Sequence, residues 1–316
     1  MFDRPLEAIR AAMFGHAIAD AMGVPVEFMD REELRKDPVL DYRGYGSHGV
    51  PAGTWSDDTS MALATLDSLA DGVNYEDMMR RFYNWKKKSR YTATDEVFDI
   101  GTTTNEALRN YADGMPALKC GCSGEYDNGN GSLMRIIPAV LYCKYKIPFA
   151  PLEGHMDLIH RVSSLTHAHP RAMMGCGIYA LILMELLSWQ NTRAIRLGLE
   201  KAKEYYSFAP GFEDEMRHYG QVFDLYDMPC SEEEINSGGY VVGTLKAALW
   251  CLLTTESYSE CILKAVNLGR DTDTVAAVAG GLAGVLYGVE DIPEKWYQGL
   301  IRHEMIDQLC EAFAEG

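Results

Sequence analysis

Two short acidic clusters carry the strongest chemical signal in the sequence. They are Ser56-Asp57-Asp58-Thr59 and Asp271-Thr272-Asp273-Thr274, and each comes directly before a segment with helical periodicity. An aspartate or serine at a helix start can act as an N-cap worth on the order of 1 kcal/mol, so either cluster alone can be explained as a cap. A cap needs one carboxylate, however, whereas each cluster supplies two.

Four carboxylates at the ends of buried helices repel one another unless cations neutralise them. Carboxylate and hydroxyl oxygens, with no histidine or cysteine beside them, favour Mg²⁺ or Mn²⁺ over Zn²⁺. Two neighbouring ions would match this number of carboxylates. The sequence therefore predicts a centre of two divalent cations, Mg²⁺ or Mn²⁺, at the place where two helices begin.

The second acidic cluster opens a helix made of small residues. Its segment Val275–Gly284 contains Gly280, Gly281 and Gly284 among alanines. Glycine costs about 1 kcal/mol relative to alanine inside a helix, so three glycines need a structural reason. We expect a neighbouring helix to approach this one closely in the centre of the protein.

Two further segments combine glycine with short polar side chains. In Asp99-Ile100-Gly101-Thr102-Thr103-Thr104, the amides and hydroxyls after the glycine can cradle a phosphate at the positive end of a helix. In Gly129-Asn130-Gly131-Ser132, the glycines permit positive φ and close approach of a ligand. On local grounds an ordinary helix start explains the first segment better, and an ordinary turn also explains the second.

Helical periodicity dominates the rest of the chain, and no alternating strand pattern, solenoid repeat or Pro/Ser-rich linker interrupts it. A first helix is predicted to end near Gly23, a long glycine-rich loop covers 44–53, and a later helical pattern covers Leu158–Leu165. The 316 residues are enough to bury a substantial core. We predict an all-α fold in which residues 1–316 form one compact multi-helix domain.

The charge balance narrows the possible partners. Lys and Arg total 29 against 46 for Asp and Glu, which gives a formal net charge of −17. A protein that binds nucleic acid or an anionic membrane through its overall charge should be basic instead. A polyanionic ligand must therefore be bound locally, through backbone amides, a helix N-terminus or bound cations.

The eight cysteines lack the spacing of a disulfide framework, and the closest pair is Cys120 and Cys122. In a chain of this size the pattern indicates reduced thiols in the cytosol. The first ten residues, MFDRPLEAIR, do not resemble a signal peptide. The apolar stretch Met173–Trp189 contains Glu185 and is short for a membrane span, so it predicts a buried helix. We expect a cytoplasmic monomer without a membrane partner.

Five motifs in the same order together resemble the ADP-ribosylglycohydrolase family. They are Glu27 after the first helix, Trp55–Thr59, Gly129–Arg135, Thr166-His167 and Gly269–Thr274. The resemblance runs from about Ala8 to Gly288, which is nearly the whole chain. It implies a compact all-α fold, a binuclear Mg²⁺ or Mn²⁺ centre in a cleft, and hydrolysis of the N- or O-glycosidic bond that joins ADP-ribose to an acceptor.

The resemblance also implies roles for individual residues. Glu27 corresponds to the family's general base, although a glutamate in a loop is usually exposed, and Asp99 is the second acid/base candidate. Spacing does not show which of the two is the acid. Asp57 and Asp58 join them in the predicted catalytic set because the cations they would hold activate the water. The implied metal ligands are Ser56, Asp57, Asp58, Asp271, Asp273 and Thr274, with Ser56 at a position where the family usually has threonine.

The implied substrate contacts fall on three segments. The pyrophosphate would lie on Gly101, Thr102 and Thr103, the ribose and acceptor on Gly129, Asn130, Gly131 and Ser132, and the distal ribose beside His167. Arg270 departs from the small residue common in the family, and it either clamps a phosphate or pairs with a surface carboxylate. We assign the other histidines and Arg135 to structural roles, Lys86–Lys88 to solvent, and Tyr240 to the core rather than to adenine stacking.

The acceptor is open. Resemblance to the family branch that regulates nitrogenase favours ADP-ribosylarginine on a protein, and O-linked serine or other conjugates are the alternative. A non-catalytic ADP-ribose-binding or structural member is a further alternative, and so is an unrelated Mg²⁺ phosphohydrolase. A protein that only binds ADP-ribose has no need of the complete acidic set, so the presence of the set argues against this alternative. The set consists of Glu27, Asp57, Asp58, Asp271 and Asp273.

Overall fold

A computed structural model describes Phe2 and residues 4–316, and this part of the chain is helical. It contains no β-strand, only isolated bridges between Cys122 and His167 and between Gly129 and Tyr240. The helices of the described residues are α1 (Pro5–Gly23), α2 (Arg31–Lys36), α3 (Asp57–Ala70), α4 (Tyr75–Lys88), α5 (Thr102–Ala112), α6 (Ile137–Tyr145), α7 (Leu152–Ser164), α8 (Pro170–Trp189), α9 (Thr192–Phe208), α10 (Gly220–Phe223), α11 (Val241–Leu253), α12 (Tyr258–Val266), α13 (Thr272–Tyr287), α14 (Glu294–Gly299) and α15 (His303–Glu315).

Helices α1 and α13 pack against each other at the centre of a single core. A Cβ placed on Gly280 would lie 2.3 Å from the Gly15 carbonyl oxygen, and one on Gly284 would lie 2.1 Å from the Ala11 carbonyl oxygen. These distances leave room for glycine only, which confirms the predicted close approach. The same contact brings the end of α1 to the start of α13, where the Thr272 hydroxyl donates to the Gly23 carbonyl at 2.8 Å.

The close contact predicts a large effect for one methyl group. Gly280→Ala is expected to lower the free energy of unfolding by about 1–3 kcal/mol, because overpacking forces the two helices apart. Urea unfolding followed by circular dichroism measures this. Gly220→Ala is the matched control, since a Cβ there has no neighbour within 4 Å and the backbone is not left-handed. Equal stability of the two variants would contradict the predicted role of the contact.

Helix α8 confirms the predicted buried helix. Its 20 residues include an 18-residue window with a mean hydropathy of 1.6, so within the described chain it is the one helix that length and composition would allow to cross a membrane. However, 78% of the apolar window is buried inside the protein, as is typical of a core helix. Helix α7 starts earlier than the predicted Leu158, because its first turn contains polar residues that carry no apolar periodicity.

Candidate active site

Groups other than Asp57 and Asp58 cap the start of α3. The Ser56 hydroxyl accepts the Asp58 amide at 3.2 Å. Asp20, on α1, accepts the amides of Ser56 and Thr59 at 3.0 Å and the Thr59 hydroxyl at 2.6 Å. Because the helix start is satisfied in this way, capping does not account for the two carboxylates. Sequence reasoning missed Asp20, although an aspartate among the apolar residues of α1 was a visible signal.

At the start of α13, too, the carboxylates do not act as ordinary helix caps. Asp271 occupies the N-cap position without a side-chain bond to its own helix, and instead accepts the Asn130 side-chain amide at 2.8 Å. Asp273 accepts the adjacent Thr274 amide at 2.8 Å through one oxygen. The Gly129–Ser132 loop is therefore hydrogen-bonded to the acidic cluster through the Asn130 side chain.

The two acidic clusters meet, as the sequence predicted. One oxygen of Asp58 accepts the Ser56 hydroxyl at 3.1 Å and the Thr274 hydroxyl at 3.2 Å, so it joins the starts of α3 and α13. Oxygens of Glu27, Asp271 and Asp273 lie within 4.8 Å of one another. Ligand atoms of Glu27, His48 and Asp99 form a second such group. The six predicted acidic groups thus surround one region between α1, α3 and α13.

The convergence perturbs the acids strongly. Burial, followed by the charges of neighbouring carboxylates, raises the pKa of Asp57, Asp58 and Asp273 well above the ordinary aspartate value. Burial also raises the pKa of Asp99 and Asp271. The pKa of Glu27 rises to about 7, mainly because its carboxylate is desolvated. When these carboxyl groups are ionised they repel one another, and bound cations would neutralise that repulsion.

The donor atoms fit a hard divalent cation. Oδ1 of Asp58 and Oδ2 of Asp273 are buried and have no hydrogen-bond partner among the described residues. Buried polar atoms normally have a hydrogen-bond partner or a bound ion, so these two oxygens are suited to bind a cation. The surrounding donors are carboxylates and hydroxyls, which Mg²⁺ and Mn²⁺ prefer.

Glu27 is buried, with 5% of its surface exposed, and is not the exposed loop residue that its type would suggest. His48 forms a hydrogen bond with its carboxylate. His48 was assigned to a structural role from the sequence, and the structure places its ring against the acidic group. The available signal was its position in the glycine-rich loop just before the first acidic cluster.

The Asp99–Thr104 segment lies beside this group. Asp99 has a left-handed backbone with φ of 54°. Gly101 is the N-cap of α5 and offers no side-chain cap to the first amides of that helix. A Cβ on Gly101 would meet only the Thr104 hydroxyl, at 4.0 Å, so packing does not require glycine there. Open space above uncapped amides suits the approach of a ligand, and Thr102 and Thr103 lie in this first turn.

His167 packs against the Gly129–Gly131 turn. A Cβ on Gly131 would lie 2.8 Å from the His167 ring, and the backbone amide of Asn130 donates to Gly239 at 3.0 Å. The His167 ring is bonded through Nδ1 to the Thr166 hydroxyl at 2.8 Å. Burial lowers the pKa of His167 to about 3, so the ring is neutral. The predicted ribose-binding residues are thus brought together.

Ser132 and Arg135 point into the core instead. The Ser132 hydroxyl accepts the Ser163 hydroxyl at 2.9 Å and is fully buried, so its side chain is engaged in the core, and its predicted substrate contact stays a prediction. Arg135 is also buried and donates to the Thr166 hydroxyl at 2.8 Å. Its predicted structural role is confirmed, because it holds the residue that orients His167.

Three other sequence assignments are refined by the structure. Arg270 is exposed, and within the described residues its guanidinium has no carboxylate within 4.0 Å, so the surface ion pair, one of its two alternatives, is not formed. Tyr240 is 39% exposed and pairs with Gly129 through its backbone, so its placement in the core was wrong. Lys86 is half-buried and bonded to Asn105, whereas Lys87 and Lys88 are exposed as predicted.

Comparison with known proteins agrees with this geometry. The family model of ADP-ribosylglycohydrolase matches residues 1–316. The chain is 31% identical over 315 residues to the ADP-ribosylarginine hydrolase Tri1 of Pseudomonas putida (strain GB-1), covering 98% of this chain and 78% of that protein. It is 29% identical over 296 residues to the ADP-ribosyl-[dinitrogen reductase] glycohydrolase of Rhodospirillum rubrum, covering 92% and 88%. A solved ADP-ribosylglycohydrolase-related protein complex superimposes with a TM-score of 0.80 at 29% identity, covering 99% of each chain.

These matches extend over the helices that build the acidic region as well as over the rest of the fold. They confirm the all-α architecture expected from the sequence. Hydrolytic action on ADP-ribose conjugates is what unites the matched proteins. With its whole length matched and its acids converging between α1, α3 and α13, this chain belongs to the ADP-ribosylglycohydrolase family.

Proposed function

We propose that the protein hydrolyses the N-glycosidic bond between ADP-ribose and an arginine side chain of a modified protein, with the help of two Mg²⁺ or Mn²⁺ ions. The observation that carries the proposal is the meeting of the two acidic clusters, with buried carboxylate oxygens of Asp58 and Asp273 left unpaired. The arginine acceptor is supported by the likeness to the P. putida ADP-ribosylarginine hydrolase.

The residues that would hold the cations lie at the two helix starts. When bound, the ions would act as Lewis acids that lower the pKa of water and neutralise the surrounding carboxylates. Asp20 supports these ligands indirectly. Its carboxylate accepts hydrogen bonds from the Ser56 amide and from the amide and hydroxyl of Thr59, and these fix the first turn of α3. The proposed ligands are Ser56, Asp57, Asp58, Asp271, Asp273 and Thr274.

Glu27 is the proposed general base. Its carboxylate lies beside the metal-binding set, and its raised pKa of about 7 suits proton transfer near neutral pH. Asp99, in the group with Glu27 and His48, is the proposed acid that protonates the leaving group, and the proton that Glu27 takes from water replaces it after turnover. Neutral His167 would contact the distal ribose through the ring nitrogen that Thr166 leaves free.

The diphosphate is proposed to bind the first amides of α5. This resolves how a protein of net charge −17 holds an anion, because backbone amides and cations supply the positive field. Glycine at position 101 lets the ligand reach these amides. The arrangement does not depend on the basic end of α4.

A substitution tests this diphosphate site. Gly101→Val should weaken ADP-ribose binding by about tenfold or more while leaving the metal sites filled, because a β-branched side chain would stand over the helix start. Titration calorimetry with ADP-ribose and Mg²⁺ measures the effect. The double variant Lys87→Ala/Lys88→Ala is the control, since both side chains are exposed. Loss of binding in the lysine variant but not in Gly101→Val would replace the helix-start site with a basic-patch site.

The acceptor and the reaction class are tested together by a panel assay. Wild-type protein with Mg²⁺ or Mn²⁺ is incubated with arginine-, serine- and nucleic-acid-linked ADP-ribose, and released ADP-ribose and phosphate are measured. We expect ADP-ribose from the arginine conjugate. Faster release from the serine conjugate would reassign the acceptor, phosphate release would indicate a phosphohydrolase, and absence of release would favour a non-catalytic binder.

The cytoplasmic location and the monomeric state stay predictions. All eight cysteines lie in the described part of the chain and are free thiols there, as a reducing compartment would require. Light scattering of the purified protein measures its oligomeric state.

A further inference from the structure

His48 lies against the carboxylate of Glu27. Its Nε2 is hydrogen-bonded to Oε2 of Glu27, and the two side chains are only 13% and 6% exposed. An ionised carboxylate can only accept, so Nε2 carries the hydrogen in this state. The imidazole ring is flanked by Phe28 and Phe98, with ring centroids 5.8 and 4.9 Å away. The ring is therefore held in the orientation that aims Nε2 at Glu27.

The loop that carries His48 is fastened to the segment that carries Glu27. The Ser47 amide donates to the Pro25 carbonyl at 2.9 Å, and the Ser47 hydroxyl donates to the Glu27 carbonyl at 2.5 Å. A Cβ on Gly46 would lie 1.7 Å from the Pro25 carbonyl oxygen, so only glycine permits this contact. His48 and Glu27 are thus fixed relative to each other by the backbone as well as by their side chains.

Asp99 lies close to both His48 and Glu27. Ligand atoms of Glu27, His48 and Asp99 are all within 4.8 Å of one another. A donor close to two carboxylates reduces their repulsion, and here it engages one oxygen of Glu27. The second oxygen of Glu27 then remains for the reacting water.

We infer that His48 is a positioning residue that holds the Glu27 carboxylate in the orientation in which it accepts a proton from water. The inference rests on the proposed function, in which Glu27 is the general base. His48 acts through Glu27 and does not itself touch the substrate. Removing its donor should therefore slow turnover without weakening ADP-ribose binding.

Three substitutions separate the donor from the ring. His48→Phe keeps an aromatic ring between Phe28 and Phe98 but has no donor. His48→Gln carries its amide nitrogen as many bonds from Cα as Nε2, whereas the amide of His48→Asn is one bond shorter. With the conjugate that wild type cleaves, His48→Phe and His48→Asn should lower kcat about 10- to 100-fold, the loss typical of a misplaced catalytic group. His48→Gln should stay within about fivefold of wild type, and ADP-ribose affinity should change less than about twofold in all three.

The dependence on Glu27 is tested by a double variant. If His48 acts through Glu27, then Glu27→Gln/His48→Phe should be no slower than Glu27→Gln alone. Wild-type kcat in His48→Phe, additive losses in the double variant, or equal losses in the Gln and Asn variants would overturn the inference while leaving the proposed function intact. Should His48→Phe fail to fold by circular dichroism, the comparison of Gln with Asn decides alone. Failure of the wild-type protein to release ADP-ribose from any conjugate would overturn both proposals.

Discussion

Asp273→Asn is expected to lose at least one of the two proposed divalent cations and most of the proposed hydrolytic activity. The carboxylate of Asp273 is fully buried, and its Oδ2 has no hydrogen-bond partner in the described part of the protein. Asparagine has an NH2 group in place of one carboxylate oxygen, so the substitution removes both a negative charge and a metal ligand. Metal content by atomic spectroscopy and release of ADP-ribose from an arginine conjugate measure the two losses.

The same variant should behave differently without metal. Burial and neighbouring acids raise the pKa of Asp273 well above its ordinary value, so its charged form opposes folding in the metal-free protein. This destabilisation increases as the pH rises above the ordinary aspartate pKa, and the neutral amide abolishes it. At neutral pH, Asp273→Asn should therefore melt at a higher temperature than metal-free wild type. It should also lose most of the stabilisation that saturating Mg²⁺ gives wild type, about 2.7 kcal/mol at a hundred times Kd.

The matched control is Asp71→Asn, at the other end of α3, where the side chain is 85% exposed. It should keep both ions, the activity and the metal-induced rise in Tm. Full activity of Asp273→Asn after exhaustive chelation would show that the acidic clusters are not a metal centre.

Glu27→Gln is expected to slow turnover by about a hundredfold or more, the effect typical of losing a general base. The substitution keeps the shape of the side chain and its bond to His48 but removes its ability to take a proton. Both cations and ADP-ribose should still bind, because the proposed ligands lie at the starts of α3 and α13. Single-turnover kinetics and calorimetry with ADP-ribose separate the chemical step from binding.

Glu96→Gln provides the control, since this exposed glutamate lies near Asp99 in sequence and outside the acidic region. It should retain normal kinetics. If Glu27→Gln instead abolishes ADP-ribose binding, and whatever substrate still binds turns over normally, Glu27 is a binding residue and another group is the base.

Local patterns predicted the parts of the protein that local physics determines. Apolar periodicity identified α1, α3 and α13, and the cost of three glycines in one helix predicted a close helix contact that the structure contains. The excess of carboxylates over capping needs predicted that the two clusters converge. In each case the evidence was contained within a few neighbouring residues.

The missed features depend on partners that are distant in sequence. Asp20 caps a helix whose N-cap residue, Ser56, lies 36 positions later, and His48 meets Glu27 only because the intervening loop folds back. The orientation of Ser132 is set by Ser163, 31 positions away. Tyr240, which is partly exposed, pairs through its backbone with Gly129, far away in the sequence. Residue types and spacing can mark such residues as unusual, but they do not identify the distant partners.

The contact between α1 and α13 also has a consequence for the order of events during synthesis. Thr272 and Gly23 are 249 positions apart, yet their hydrogen bond joins the two helix ends that frame the site. The carboxylates of α3 therefore have no Asp271 and Asp273 beside them until most of the chain has left the ribosome. Such long-range closure is slow, because the entropy of a large loop is lost before the contact is gained. The nascent protein thus acquires its full acidic region only late in synthesis.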